Sequence, residues 1–319
     1  MAVSAFIFPG QGSQAVGMGR DLAAAFAPAR EVFEEVDEVL RQKLSRLMFE
    51  GPAEELTLTE NAQPALMAMS MAVVRCLERE GRVSVRERAV VVAGHSLGEY
   101  TALAAAGSFS VAEAARLLRV RGSAMQKAVP AGEGAMAALL GVELAAAVEI
   151  CAEAEAGPAG REVVSVANDN GGGQVVISGA AAAVDRAIEV AKARGVKRAM
   201  KLPVSAPFHC ALMQPAAVAM QEALGVTPPR GPVVPVIANV TAAKVTMPAD
   251  IAARLVEQVT ATVRWRESVE AMIALGVTRF VELGSGKVLS GLIRRIAPEA
   301  EVMNCGTPAE LEALIKHVG

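Results

Sequence analysis

Aromatic side chains and long apolar runs are both scarce in this chain of 319 residues. Only 3% of the residues are aromatic although 53% are hydrophobic, so the core must be built from Ala, Val, Leu, Ile and Met. Such a composition is typical of helices packed on a buried sheet, and it excludes a disordered chain. No run of 18 or more apolar residues occurs, which argues against a membrane-spanning segment.

The sequence also lacks a surplus of basic charge and any closely spaced pair of cysteines. Its 31 basic and 34 acidic residues leave a formal net charge of −3, which argues against a nucleic acid or a membrane surface as partner. No basic segment precedes the short apolar stretch at the N-terminus, so no secretory signal is predicted. We therefore expect a cytoplasmic protein whose four cysteines are reduced and mostly buried: Cys76, Cys151, Cys210 and Cys305.

Apolar strands alternate with helical segments along most of the chain, which predicts an α/β fold. Helical periodicity is found at residues 20–49, with an interruption near Pro28, and at residues 64–80 and 111–128. The run at residues 89–93 is continuously apolar, which is typical of a strand buried on both faces of a parallel sheet. Further strands of this sheet are predicted at residues 3–8, 233–238, 279–283 and 301–304.

The middle of the chain has a different order of elements, β-α-β-β-α-β, which is that of the ferredoxin-like unit. Its strands are predicted at residues 134–142, 162–167, 174–178 and 197–204, and its helices at residues 143–156 and 181–194. We therefore predict a ferredoxin-like subdomain at residues 131–202. It is inserted into a larger α/β domain that comprises residues 1–130 and 203–319.

The segment Gly94-His95-Ser96-Leu97-Gly98 matches the nucleophile elbow G-x-S-x-G. Its two glycines allow a strained turn between a strand and a helix, which exposes the serine hydroxyl and directs the helix N-terminus toward a developing oxyanion. An apolar strand precedes the motif and a helical pattern follows it, as this turn requires. The alternative is a glycine-rich turn with an incidental serine. We interpret Ser96 as a candidate nucleophile.

A serine nucleophile needs a base, and the chain contains three histidines. His95 adjoins the serine, where side chains diverge on a sharp turn, and His317 lies near the C-terminus, where chains fray. His209 follows the last strand of the predicted insert, in a loop of the kind that carries catalytic groups, so it is the favoured base. A hydrogen-bonded core histidine is the alternative. No acidic third member stands out, and we expect a Ser–His dyad oriented by a main-chain carbonyl.

Two glycine-rich segments resemble nucleotide-binding loops without meeting their requirements. Residues 10–15 match G-x-G-x-x-A after a strand, but the following region is helical where a dinucleotide fold needs a second strand ending in an acid. The alternative is that this loop brings Gln11 to the elbow as part of an oxyanion hole. Residues 284–288 are not a phosphate-binding loop, because the first glycine is misplaced and no Ser or Thr follows the lysine.

Arg121 occupies an unusual position on the helix predicted at residues 111–128. At 100° per residue it lies on the same face as apolar residues of that helix, among them Leu117, Leu118 and Met125. Such an arginine either extends outward to solvent or meets a buried anion. A guanidinium is well suited to binding a carboxylate through two hydrogen bonds.

These residues resemble the malonyl-CoA:acyl carrier protein transacylases over essentially the whole chain. The resemblance is carried by seven blocks in order: FPGQGSQ (8–14), TENAQPAL (59–66), GHSLGEYTAL (94–103), RVRGSAMQ (119–126), GQVVISG (173–179), LPVSAPFHCALM (202–213) and ELGSGKVLSGL (282–292). It implies a hydrolase-like core with a parallel sheet and a ferredoxin-like insert. A main-chain carbonyl near residues 262–265 would orient the catalytic histidine.

The resemblance also implies a role for each candidate site residue. Ser96 is the acylated nucleophile and His209 its base, the main-chain amides of Gln11 and Leu97 form the oxyanion hole, and Arg121 binds the free carboxylate of the malonyl group. The implied reaction is a ping-pong transfer from malonyl-CoA to the phosphopantetheine thiol of an acidic acyl carrier protein, which supplies fatty acid biosynthesis. It needs no metal and no other cofactor, and a monomer is expected.

Two other functions remain compatible with the same motifs. A serine hydrolase, either an esterase or a thioesterase, would use the same elbow and release free malonate without a carrier protein. A non-catalytic partner in polyketide assembly would dock on a carrier protein or a synthase, although the presence of both Ser96 and His209 argues against it.

Overall fold

The computed structural model describes residues 2–158 and 160–318. The strands are β1 (Ser4–Phe8), β2 (Val91–Gly94), β3 (Gly134–Leu140), β4 (Ala156–Gly157), β5 (Gly160–Arg161), β6 (Val164–Asp169), β7 (Gln174–Ala180), β8 (Arg198–Lys201), β9 (Val236–Ala238), β10 (Ala243–Val245), β11 (Val263–Arg264), β12 (Arg279–Leu283) and β13 (Glu301–Cys305). Within these ranges, no helix is both long and apolar enough to cross a bilayer.

Helices pack on the sheets and fill most of the sequence between the strands. They are α1 (Arg20–Ala25), α2 (Ala27–Leu40), α3 (Leu44–Glu50), α4 (Ala53–Thr57), α5 (Thr59–Arg79), α6 (Val85–Arg88), α7 (Leu97–Ala105), α8 (Val111–Lys127), α9 (Leu144–Ala154), α10 (Ala181–Ala193), α11 (Gln214–Val226), α12 (Pro248–Gln258), α13 (Trp265–Ala274), α14 (Val288–Ile296) and α15 (Pro308–Val318). The predicted α/β fold is confirmed.

The main sheet has the strand order β10-β9-β2-β1-β12-β13. β1 pairs in parallel with β2 and β12, and all five of its residues are buried, because helices cover both faces. Only β10, at one edge, is antiparallel to its neighbour. This strand was not predicted, because it is three residues long and two of them are exposed, so it carries no apolar pattern.

A second sheet has the order β11-β6-β7-β3-β8. β6, β7, β3 and β8 form antiparallel pairs and come from residues 134–201. Helices α9 and α10 bury a separate core of aliphatic side chains against them. β11 comes from residues 263–264, outside the predicted insert, and pairs in parallel with β6.

Element boundaries differ from the predicted ones for local reasons. The helical segment predicted at residues 20–49 is divided into α1, α2 and α3. The first break, at the extended Phe26, is close to the interruption predicted near Pro28, whereas the second, at Arg41 with a left-handed φ of 50°, was not predicted. Helix α5 begins at Thr59, five residues before the predicted start, and Pro64 lies inside it. The prediction treated this proline as a first-turn residue, which is its usual place in helices.

Candidate active site

Ser96 lies at a strained turn between β2, which ends at Gly94, and α7, which begins at Leu97. Its backbone has φ of 54° and ψ of −113°, a conformation that is rare for residues with a side chain. A Cβ on Gly94 would lie 1.9 Å from the carbonyl oxygen of Gly98, and one on Gly98 would lie 2.3 Å from that of Phe8. Both glycines of the motif are therefore required for this turn.

The structure brings Ser96 and His209 together from positions 113 residues apart. Ser96 Oγ lies 2.8 Å from His209 Nε2, and His209 Nδ1 lies 2.8 Å from the main-chain oxygen of Gln258. Because Nδ1–H donates to this carbonyl, Nε2 is left as the acceptor for the serine hydroxyl. The orienting carbonyl is thus that of Gln258, four residues before the segment 262–265. Gln258 ends helix α12, where carbonyl groups lack a partner within the helix.

The imidazole of His209 is buried, and its surroundings favour the neutral form. Desolvation and the nearby positive charge of Arg121 lower the pKa of His209 to about 3, although its hydrogen bond to the Gln258 carbonyl acts in the opposite direction. A neutral imidazole is the form that can accept a proton from Ser96.

The other two histidines lie away from this pair of reacting atoms. His95 Nε2 is 2.9 Å from Asn170 Oδ1, and its ring centroid lies 5.7 Å from that of Trp265. His317 is exposed in the last helix and lies 3.1 Å from a Glu301 carboxylate oxygen. His209 is therefore the histidine that contacts the Ser96 hydroxyl.

Arg121 is 1% exposed and lies beside the candidate nucleophile. Nη1 donates to Gln63 Oε1 at 2.8 Å, and Nη2 donates to Gln258 Oε1 at 2.9 Å and to Ser96 Oγ at 3.2 Å. All three acceptors are uncharged oxygens, and Nε has no hydrogen-bond partner among the described residues. Of the two interpretations of this arginine, extension to solvent is excluded. The Nε–H and the second hydrogen on Nη1 are left to bind an anion.

The loop that follows β1 lies against the elbow. The N–H of His95 donates to the Phe8 carbonyl at 3.1 Å, and a Cβ on Gly10 would lie 2.7 Å from the His95 carbonyl oxygen. The missing side chain of Gly10 therefore allows the close approach that brings Gln11 to the elbow.

Two main-chain N–H groups at this junction are free to bind an oxyanion. In the part of the chain that the structure describes, neither Gln11 N–H nor Leu97 N–H has an acceptor. The N–H of Ser96, by contrast, donates to Asn239 Oδ1 at 2.8 Å. Helix α7 begins at Leu97, so its N-terminal dipole adds to the attraction for negative charge.

A buried carboxylate, that of Glu99, is hydrogen-bonded to the residues that hold the elbow. Glu99 Oε2 accepts hydrogen bonds from the main-chain N–H of Asn239 at 3.0 Å and from Gln258 Nε2 at 2.7 Å. Gln258 Nε2 also donates to the main-chain oxygen of Ser96 at 3.0 Å. Burial raises the pKa of Glu99 to about 7.

Sequence reasoning missed the polar residues that hold the predicted ones in place: Gln63, Glu99, Asn239 and Gln258. Gln63 and Glu99 lie within blocks that carry the family resemblance, and their place among apolar helical residues was a signal that could have found them. Asn239 and Gln258 lie at the ends of a strand and a helix, where polar residues are ordinary. Nothing in the spacing distinguished these two.

Comparisons with known proteins identify the family of this chain. Residues 5–305 match the family described as acyl transferase domain. The malonyl CoA-acyl carrier protein transacylase of Bacillus subtilis (strain 168) is 47% identical over 317 residues, which are 99% of this chain and 97% of that protein. The corresponding protein of Escherichia coli (strain K12) is 44% identical over 316 residues, 99% of this chain and 100% of its own.

Solved structures extend this likeness to the whole fold. The acyl-carrier-protein S-malonyltransferase of Bartonella henselae is 55% identical, with a TM-score of 0.95 and coverage of 99% of both chains. A malonyl-transacylase solved in complex with a type II PKS acyl-carrier protein is 40% identical, with a TM-score of 0.94 and coverage of 99% of this chain and all of its own. Acyl transfer at an activated serine is the chemistry that the elbow allows, and the chain accordingly belongs to the acyl transferase family and, within it, to the malonyl CoA-acyl carrier protein transacylases.

Proposed function

We propose that the enzyme transfers a malonyl group from malonyl-CoA to the phosphopantetheine thiol of an acyl carrier protein, through a malonyl ester of Ser96. The observation that carries this proposal is the buried guanidinium of Arg121. Among the described residues its hydrogen-bond acceptors are three uncharged oxygens at 3.2 Å or less, one of which is the Ser96 hydroxyl. Malonyl carries a free carboxylate beyond its thioester. An acyl group with this charge compensates the guanidinium at the place where the acyl group must lie.

In the first half-reaction, Ser96 Oγ attacks the thioester carbonyl while its proton passes to His209 Nε2. The negative charge that develops on the carbonyl oxygen is stabilised by the N–H groups of Gln11 and Leu97. The carbon–sulfur bond then breaks, and the protonated imidazole gives its proton to the leaving coenzyme A thiolate. The product is a malonyl ester of Ser96.

In the second half-reaction, the carrier thiol takes the place of coenzyme A. His209 Nε2 accepts the thiol proton as the sulfur attacks the ester carbonyl, and the same N–H groups bind the oxyanion. Collapse breaks the bond to Ser96 Oγ, which receives the proton back from the imidazole. Because one product leaves before the second substrate reacts, the kinetics are ping-pong. These proton and acyl transfers need no metal and no redox cofactor.

The carrier protein as acceptor is supported by the names of the Bacillus subtilis relative and of the solved complex. Supply of malonyl groups to fatty acid biosynthesis follows for a carrier of that pathway, and a polyketide carrier would be loaded by the same chemistry. A monomer and a cytoplasmic location remain predictions.

We also infer that residues 131–202 form a ferredoxin-like subdomain inserted between residues 1–130 and 203–319. The strand order β8-β3-β7-β6, all antiparallel, supports this inference, as do the two helices that pack on it. The loop after β8 then carries His209 back to the main sheet, so the insert lies beside the cleft.

Intact-mass measurement tests the function directly. Malonyl-CoA alone should add the mass of one malonyl group, located on Ser96 by peptide mapping, and holo acyl carrier protein should remove it and gain the same mass. Release of free malonate at the same rate without carrier protein would identify a hydrolase instead. A label on another residue, or none, would contradict the proposal.

A further inference from the structure

A directed chain of hydrogen bonds leads from Arg121 to Gln11 across the start of helix α5. Arg121 Nη1 donates to Gln63 Oε1 at 2.8 Å, and Gln63 Nε2 donates to Thr59 Oγ1 at 2.9 Å. Thr59 Oγ1 in turn donates to Gln11 Oε1 at 2.9 Å. The chain therefore joins the guanidinium beside the nucleophile to the side chain of a residue whose main-chain N–H is free.

The direction of every bond in this chain follows from its first member. A guanidinium has no acceptor, so Gln63 must present its oxygen to Arg121 and its NH₂ group to Thr59. The Thr59 hydroxyl accepts that bond and has a single proton left, which it donates to Gln11. Hydrogen bonds aligned in this way polarise one another, so each is stronger in the chain than alone.

Thr59 is the member of the chain that joins the two amide side chains. It is fully buried at the first position of α5, and Gln63 is also buried, so solvent does not reach the hydroxyl. Within the described part of the chain, its hydroxyl bonds two amide side chains, those of Gln11 and Gln63, and neither Ser96 nor His209. Removal of the hydroxyl alone would leave Gln11 Oε1 without its donor and Gln63 Nε2 without its oxygen acceptor.

We propose that Thr59 is a positioning residue that couples the carboxylate-binding Arg121 to the oxyanion hole at Gln11. By holding the Gln11 side chain, Thr59 also holds the loop after β1. The N–H groups of Gln11 and Leu97 then keep the relative position that lets both donate to one oxyanion. By holding Gln63, it keeps a neutral acceptor on Arg121. The proposal rests on the function proposed above, because it uses the same serine ester and oxyanion.

The test compares Thr59→Val, which keeps the shape and lacks the hydroxyl, with Thr59→Ser, which keeps the hydroxyl. The rate constant for acylation of Ser96 at saturating malonyl-CoA is measured by rapid quench and intact mass, normalised to the burst amplitude. Complete loss of one oxyanion donor costs about 10²–10³-fold. Thr59→Val should displace the Gln11 N–H without removing it, so we expect acylation of Ser96 to be slower by about tenfold in this variant. In Thr59→Ser the acylation rate should stay within about twofold of the wild-type rate.

The oxyanion end of the chain is tested separately with p-nitrophenyl acetate, which has no carboxylate and needs no coenzyme A. Thr59→Val should slow acetylation of Ser96 by this ester as well, whereas Thr59→Ser should not. A wild-type rate in Thr59→Val, or equal losses in both variants with a lowered melting temperature, would overturn the proposal. Absence of any malonyl label in the wild type would instead overturn the proposed function, and the ester assay would still report on Thr59.

Discussion

The Ser96 hydroxyl lies between a base and a cation, and each contact has a different consequence. His209 Nε2 at 2.8 Å is placed to receive the proton, and Arg121 Nη2 at 3.2 Å donates to the same oxygen. No carboxylate of the described residues forms a salt bridge with Arg121, so this donor can turn to a substrate carboxylate without breaking an ion pair. His209 is therefore the group that accepts the proton, and Arg121 is the group that can meet the acyl carboxylate.

The first prediction at the residue scale concerns the two members of the dyad. Ser96→Ala should abolish labelling by malonyl-CoA, because no other oxygen is activated at this position. His209→Ala should slow labelling by several orders of magnitude, since loss of a nucleophile or its base is large and non-additive. The rates are measured by rapid quench and intact mass. Near-normal labelling of His209→Ala would mean that another group accepts the proton.

Arg121 should determine selectivity between charged and neutral acyl groups. Removing one partner of a buried charge pair costs about 2–5 kcal/mol, so Arg121→Ala should lose about 30-fold or more in kcat/KM for malonyl-CoA. Acetyl-CoA lacks the carboxylate, so kcat/KM for acetyl-CoA should fall little in Arg121→Ala. Arg121→Lys keeps the charge without the planar fork and should give an intermediate loss for malonyl-CoA. Equal losses for both substrates would assign Arg121 a purely structural role.

The lowered pKa of His209 predicts an unusual pH profile. Because the pKa is lowered to about 3 from an ordinary value of 6.5, the imidazole stays neutral, and so able to accept a proton, well below pH 6.5. Acylation of Ser96 should therefore keep its rate from about pH 7.5 to about pH 5, as followed by single-turnover mass measurement.

The buried carboxylate of Glu99, with its pKa raised to about 7, also changes charge in this range. Glu99→Gln is therefore the control, since it keeps an oxygen acceptor without the titration. If the rate of Ser96 acylation falls with a midpoint near pH 6.5 in both the wild type and Glu99→Gln, the His209 imidazole is solvated.

At the scale of elements, the site depends on how closely helices α5 and α8 approach each other. Gly122 follows Arg121 on α8, and a Cβ there would lie 2.6 Å from Glu60 Cα and 2.7 Å from the Thr59 carbonyl oxygen. The contact therefore needs a residue without a side chain. It sets the distance from Arg121 on α8 to Gln63 on α5.

Gly122→Ala should force the two helices apart. Overpacking of this kind costs about 1–3 kcal/mol of the free energy of unfolding, and the hydrogen bond from Arg121 to Gln63 should weaken with it. The matched control is Gly225→Ala in α11, where an added Cβ would have nothing within 4 Å. Thermal unfolding and the ratio of malonyl to acetyl transfer are measured for both. We expect only Gly122→Ala to lower the melting temperature and this ratio.

At the scale of the whole molecule, the site is assembled where the two sheets meet. Strand β11 joins the second sheet, Arg266 pairs with the buried Asp169 at 2.9 Å, and His95 contacts Asn170 in the loop between β6 and β7. These contacts hold the second sheet against the elbow. The loop that carries His209 leaves the same sheet, so the distance between nucleophile and base depends on this junction.

The sequence determined those features that depend on local chemistry. The turn itself requires the glycines at positions 94 and 98, and burial on both faces requires the apolar runs of β1 and β2. His209 could be chosen as the base because the chain contains few histidines. An arginine on the apolar face of α8 was visible from periodicity alone. None of these inferences needed a distance between residues far apart in the chain.

Only the tertiary structure decided which oxygens surround these groups. Gln258 orients His209 through its main chain and binds Arg121 through its side chain. Both contacts depend on where α12 ends, and no pattern of residue types encodes that end. The helical turn before Pro64, which carries Thr59 and Gln63, was missed because propensity places a proline at a helix start. Packing against α8 overrides that preference, since burial of α5 along its whole length outweighs the hydrogen bond that one proline removes.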